Sequence, residues 1–95
     1  MFKITSDYDN ELGRGFQMTF ENEYTISVQF GRGTYSDNRS LVRNFANLYS
    51  RDAEVMVWDK DKNPIAIENY TGDDGIGPHL YPDAVARLMD IVANL

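Results

Sequence analysis

Hydrophobic and polar residues alternate most plainly over Phe16-Gln17-Met18-Thr19-Phe20, where every second side chain is apolar, the period of a half-buried strand. Tyr24-Thr25-Ile26-Ser27-Val28-Gln29-Phe30 repeats the pattern, and Glu21-Asn22-Glu23 lies between the two runs. A two-residue turn at Asn22 and Glu23 would pair Glu21 with Tyr24 and send the apolar stripes to opposite faces. A three-residue loop pairs Phe20 with Tyr24 and keeps both stripes together, so this register is expected. Such a loop asks for a left-handed residue at its third position, normally Gly. Glu23 stands there instead, which predicts local strain.

Further along, Leu41, Val42, Phe45, Leu48 and Tyr49 recur at helical spacing, predicting a short helix over 39–50 that Asp37, Asn38 or Ser40 caps. Ala53-Glu54-Val55-Met56-Val57-Trp58 is apolar on both faces beyond Glu54 and reads as a central strand. A polar turn over 59–64 leads to a short predicted strand, Ile65-Ala66-Ile67-Glu68, and the Gly- and Asp-rich stretch 69–80 reads as loop. Pro82 suits the first position of a helix, and Asp83 suits its first turn. Tyr81, Val85, Leu88, Met89, Val92 and Leu95 form its apolar face, opposite an i, i+4 pair of Asp83 and Arg87. The expected fold class is α+β: a mainly antiparallel sheet of four to five strands, with a C-terminal helix and a shorter middle helix packed on one face.

The segments 16–31 and 53–59 resemble short proteins of unknown function encoded in tailed-bacteriophage genomes. The likeness covers roughly the middle half of the chain, and its motif is a hairpin and a strand. Those proteins commonly carry Gly after the Asn of the turn, where this chain has Glu23. The resemblance implies a context, an accessory phage product acting on a host protein in the host cytoplasm. It assigns no activity and no site residue.

Composition narrows the function classes. The chain has 95 residues, suited to one domain over 1–95, and its twelve aromatics supply core area that disordered chains lack. The absence of cysteine excludes disulfides, thiolate zinc sites and a Cys nucleophile, and His79 as sole histidine excludes a two-His metal site. No apolar run approaches the ~18 residues of a membrane span, and residues 1–5 do not read as a signal peptide. A cytoplasmic, soluble domain without a cofactor is the expectation.

Charge then refines the picture. The net −6 disfavours broad nucleic-acid binding, because phosphate affinity comes from Lys and Arg. Residues 31–51, however, hold Arg32, Arg39, Arg43 and Arg51 against Asp37 alone, a local +3 against −9 for the remainder. Arg32, Gly33, Tyr35, Asn38, Arg39 and Arg43 are therefore the candidate binding residues, for an acidic partner surface or a small anionic ligand such as a nucleotide. Internal pairing of these arginines with Asp52 or Glu54 is the competing use. Gly31-Arg32-Gly33 places backbone N–H groups between a strand and a helix start, yet lacks the Lys-Ser/Thr of a phosphate loop.

Other constellations carry less. Asp59-x-Asp61-x-Asn63 opens like a calcium loop, but Pro64 and Tyr70 occupy the sixth and twelfth positions, so a solvated hairpin turn is expected. His79 lies near Asp73 and Asp74 in sequence, with no nucleophile indicated; it reads as a surface or loop-packing residue. Tyr8, Tyr35, Tyr70 and Tyr81 fall in or beside loops, where Tyr favours interfaces. The reading is a small acidic, non-enzymatic interaction module, an inhibitor or modulator of a host protein or defence complex. Its acids are too scattered to predict mimicry of DNA, and a homodimer through a sheet edge or the 39–50 helix fits so small an interior.

Overall fold

The structure, a computed structural model, describes residues 1–4, 14–30 and 50–95. Alternation of apolar and polar side chains builds its sheet. Strands β1 (Phe2–Ile4), β2 (Arg14–Thr19), β3 (Thr25–Phe30), β4 (Ala53–Trp58) and β5 (Ile76–Leu80) lie in the order of the chain. Each pairs antiparallel with the next. Helix α1 (Pro82–Ala93) follows β5 and packs over β3 and β4. The α+β class and the C-terminal helix are as expected. The predicted helix over 39–50 lies outside the described residues.

The β2–β3 hairpin adopts the register that keeps both apolar stripes on one face. Phe16 pairs with Val28 and Met18 with Ile26. The Phe20 amide donates to the Tyr24 carbonyl at 2.9 Å, and the Glu23 amide donates to the Phe20 carbonyl at 2.9 Å. Glu23 takes φ 72°, the left-handed conformation that a three-residue loop demands. Asn22 secures both sides of this turn: its Oδ1 accepts the Tyr24 amide at 3.2 Å, while its Nδ2 donates to the Val92 carbonyl at 2.8 Å. The Val92 carbonyl, in the last turn of α1, also accepts the Leu95 amide at 3.3 Å, so this one loop residue adds a second bond there and ties the hairpin to the helix.

Central placement of β4 accounts for its composition. Ala53, Val55 and Val57 are buried toward α1, whereas Glu54, Met56 and Trp58 are half-buried on the opposite face. Ile26 and Val28 from β3 meet them in register, and Val85, Leu88 and Val92 of α1 close the core. On the opposite face Thr25 and Ser27 are buried polar residues, each hydrogen-bonded: Thr25 to the Thr19 hydroxyl at 2.9 Å, Ser27 to the Gln29 amide at 3.0 Å. Tyr81 and Leu95, expected on the apolar face of the helix, lie beyond its ends and are 60% and 50% exposed.

Two expectations are corrected between β4 and α1. Residues 65–68 form no strand. Backbone pairing beside β4 is limited to a bridge between Trp58 and the preceding Pro64 and one bond from the Ile65 amide to the Val57 carbonyl at 3.0 Å. Thr71 organises the stretch instead, its buried hydroxyl donating to the Ile65 carbonyl at 2.8 Å and accepting the Ile67 amide at 2.7 Å. Conversely, the expected loop over 69–80 ends in a strand. Gly75, at φ 77°, turns the chain back, and Ile76–Leu80 then pairs with β4. Gly77 is needed there because a Cβ would collide with the Tyr70 carbonyl oxygen. Pro78 is tolerated because it falls at a bulge on an edge strand.

Strain at Glu23 has a measurable consequence. Glu23→Gly removes a side chain from a left-handed position, and the relief exceeds the added entropy of the unfolded chain. Thermal denaturation should show this variant more stable by about 0.5–1 kcal/mol. A lower melting temperature would contradict the register.

Candidate interaction surface

The candidates chosen from charge, Arg32, Gly33, Tyr35, Asn38, Arg39 and Arg43, all lie outside the described residues. So do Tyr8 and the Gly31–Gly33 turn. Tyr70 is half-buried and packs against the core, while Tyr81 is exposed. Arg51, Asp52 and Glu54 all have interaction partners, Asp52 with His79 among them.

The sheet itself presents a surface that sequence reasoning passed over. Phe2 pairs with Met18 and Ile4 with Phe16, so both β1 side chains share the face that carries the core. They are nevertheless 75% and 74% exposed, while among the described elements α1 packs chiefly on β3 and β4. Phe16, Met18 and Phe20 are half-buried between the two regimes. Phe16 also enters a groove of about 320 Å³ along α1, whose apolar walls include Phe30, Leu80, Val85 and Met89. Phe16 links the exposed edge to the groove, since it pairs with Ile4 and lines the groove. The hidden signal was Phe2-Lys3-Ile4, an alternation too short to stand out.

Ser50, Arg51 and Asp52 lie at the same groove. Ser50 Oγ is sealed from solvent without a hydrogen-bond partner, a state that costs about 1–3 kcal/mol. Because solvent does not reach the atom, it offers no contact to a molecule resting in the open groove.

His79 is placed by a bulge rather than by its neighbours in sequence. Ala53 pairs with Leu80 and Val55 with Gly77, so Pro78 and His79 together stand opposite Glu54. The extra residue forces His79 to φ 55°. Its Nδ1 then lies 3.2 Å from Oδ2 of Asp52, a buried carboxylate at the entry to β4. Asp73 and Asp74, the sequence neighbours, are not its partners; Asp74 Oδ1 accepts the Ile76 amide at 2.9 Å in the turn before β5. A carboxylate only accepts hydrogen bonds, so the proton of the uncharged ring sits on Nδ1 and leaves Nε2 as an acceptor. The contact orients the imidazole relative to the sheet. Among the described residues it hydrogen-bonds only to Asp52, and no nucleophile is joined to it.

The calcium-like stretch forms the expected turn. Asp59 Oδ1 accepts the amides of Asp61 and Asn63, both at 2.9 Å, and Oδ2 accepts Asn63 Nδ2 at 3.2 Å. Lys62 takes φ 69° and sets its ammonium 5.6 Å from the centre of the Trp58 ring. The Asn63 amide above all, then its side chain and the Asp61 amide, hold the Asp59 carboxyl below the ordinary aspartate value of 3.8. No group of three or more potential metal ligands occurs among the described residues. None of the described helices is long and apolar enough to cross a membrane. Comparison with protein-family models, with curated proteins and with solved structures finds no match to this chain.

Two outcomes follow from these contacts. Imidazole nitrogen shifts in an NMR spectrum should report the Nδ1–H form of His79, and Asp52→Ala should abolish that bias while lowering stability by about 1–3 kcal/mol. For Asp59 the folded value is depressed, so its stabilisation is full above the unfolded value of 3.8 and fades as pH falls through the folded one. A carboxyl titration should therefore place Asp59 below ordinary aspartate, and Asn63→Ala should move it upward.

Proposed function

We propose that this protein is a small, non-enzymatic interaction module that binds another protein through the apolar surface joining β1 to the α1 groove. One observation carries the reading: Phe2 and Ile4 lie on the core-bearing sheet face and are three-quarters exposed. Exposed apolar side chains grouped on one sheet face mark interaction sites when the patch is large. The groove beside it is lined mainly by aliphatic and aromatic side chains, with Ser50, Arg51 and Asp52 among them, a composition that suits a contact surface. Its resemblance to phage accessory proteins directs the search to bacterial host proteins, including defence complexes, and suggests an inhibitory or modulating role. The His79–Asp52 pair supports the alternative of a catalytic site less well, since among the described residues its hydrogen bond is to a carboxylate.

The test uses the double variant Phe2→Asp/Ile4→Asp. Both positions are exposed, so its stability should stay within about 1 kcal/mol of the parent. Immobilised parent protein is expected to retain a bacterial protein from lysate, and to bind that protein again when both are purified. The double variant should bind it at least tenfold more weakly. Equal binding by parent and variant would remove this surface from the function.

A further inference from the structure

We infer that the open edge of β1 accepts an extended segment of a partner protein as a sixth strand, and that the segment carries an acidic residue between two apolar ones. This rests on the reading of the protein as an interaction module and names the chemistry of its partner.

Hydrogen bonding within the sheet defines what the edge offers. Met1 and Thr19 exchange both bonds of an antiparallel pair, Thr19 N–H to the Met1 carbonyl at 2.9 Å and the Met1 amine to the Thr19 carbonyl at 3.0 Å. Pairs of this kind alternate along antiparallel strands, so Lys3 also points its backbone groups at β2, toward Gln17. Phe2 and Ile4 consequently point theirs outward. The edge presents two N–H donors and two C=O acceptors, and among the described residues no strand takes them.

The two outer strands of the sheet differ in how they treat their edges. On β5 a proline, a bulge and the left-handed His79 interrupt the ladder, devices that discourage pairing with a further strand. On β1, among the described residues, the charge of Lys3 is the one such device. That charge discriminates between partners. Residues opposite Phe2 and Ile4 on an added strand form hydrogen-bonded pairs, with side chains on the apolar face beside Phe16 and Met18. The residue opposite Lys3 forms the closer, non-hydrogen-bonded pair on the other face, with Cα atoms about 4.5 Å apart. Two apolar residues flanking one acid meet all three positions.

A second copy of this chain meets them poorly. The antiparallel register that pairs Phe2 with Ile4 of another copy sets Lys3 against Lys3 at that same short spacing, where like charges repel. A foreign strand bearing Glu or Asp turns the repulsion into attraction. Lys3 is thus a selectivity element, admitting an acidic partner strand and opposing self-association.

The experiment uses the full chain and two capped seven-residue peptides. One has valine-glutamate-valine at its centre with threonines on either side; the other has lysine in place of the glutamate. Amide spectra and hydrogen exchange are read with each. The glutamate peptide should shift and protect the Phe2 and Ile4 amides while leaving the Lys3 amide, already bonded to β2, unchanged in exchange. The lysine peptide should bind about fivefold more weakly, and Lys3→Glu should reverse that order without altering the melting temperature. Equal affinity for both peptides, no binding at millimolar peptide, or shifts centred on α1 would each overturn the inference. A dimer in sedimentation, with Phe2 and Ile4 protected before any peptide is added, would overturn it in favour of a second copy. The outcomes for the two readings separate cleanly. Loss of the protein partner in Phe2→Asp/Ile4→Asp with no peptide binding leaves the module and removes the strand; retention of the partner removes the module itself.

Discussion

Helix α1 is narrower than the sheet it packs on, and the arrangement of the described residues depends on that mismatch. Five strands spaced about 4.8 Å apart span about 19 Å, whereas a helix with its side chains is about 10–12 Å across. Helix α1 can seal about two strands, and β3 and β4 are the two it seals. Ile26, Val28, Val55 and Val57 lie beneath Val85, Leu88 and Val92 because the hairpin register and the β3–β4 register bring their stripes to one level. What lies outside that footprint is the half-buried β2 stripe and the exposed side chains of β1.

Several tight joints hold the sheet under its helix, and they are made by residues in unfavourable backbone conformations. Glu23, Lys62, Asn69 and His79 all have positive φ, a state that costs a non-Gly residue roughly 1–2 kcal/mol. Each lies at a reversal or bulge where the chain gains hydrogen bonds in return. The Asn22 bond to Val92, the Asp59 turn and the Thr71 hydroxyl are those gains. Of the four, His79 is the case in which strain also aims a side chain, and it aims it at a buried carboxylate.

Legibility in the sequence followed the range of the interactions. The β2–β3 hairpin could be read, including its left-handed Glu23, because period-two alternation and loop length are local properties. Helix α1 could be read from Pro82, Asp83 and a three-turn apolar face. Residues 65–68 misled because alternation reports half-burial and not pairing: Ile65 and Ile67 are indeed half-buried, yet Thr71 takes the hydrogen bonds a neighbouring strand would have taken. The strand at Ile76–Leu80 was hidden because Gly77 and Pro78 erase the pattern that reveals strands, and both are there for tertiary reasons. Asp52 and His79 are 27 positions apart and meet only through a bulge.

Taken alone, the sequence determined the fold class, the register of one hairpin, the position of one helix and the absence of any cysteine chemistry. Each of these rests on residues within a few positions of one another or on composition. Tertiary structure alone decided which strands the helix covers, which strand is left at the edge, and which acid meets the histidine. Burial is a property of neighbours in space, and a pattern of apolar residues reads the same whether a helix lies over it or not. Phe2 and Ile4 have the alternation of buried residues, yet they are three-quarters exposed, on a sheet whose described helix lies over β3 and β4.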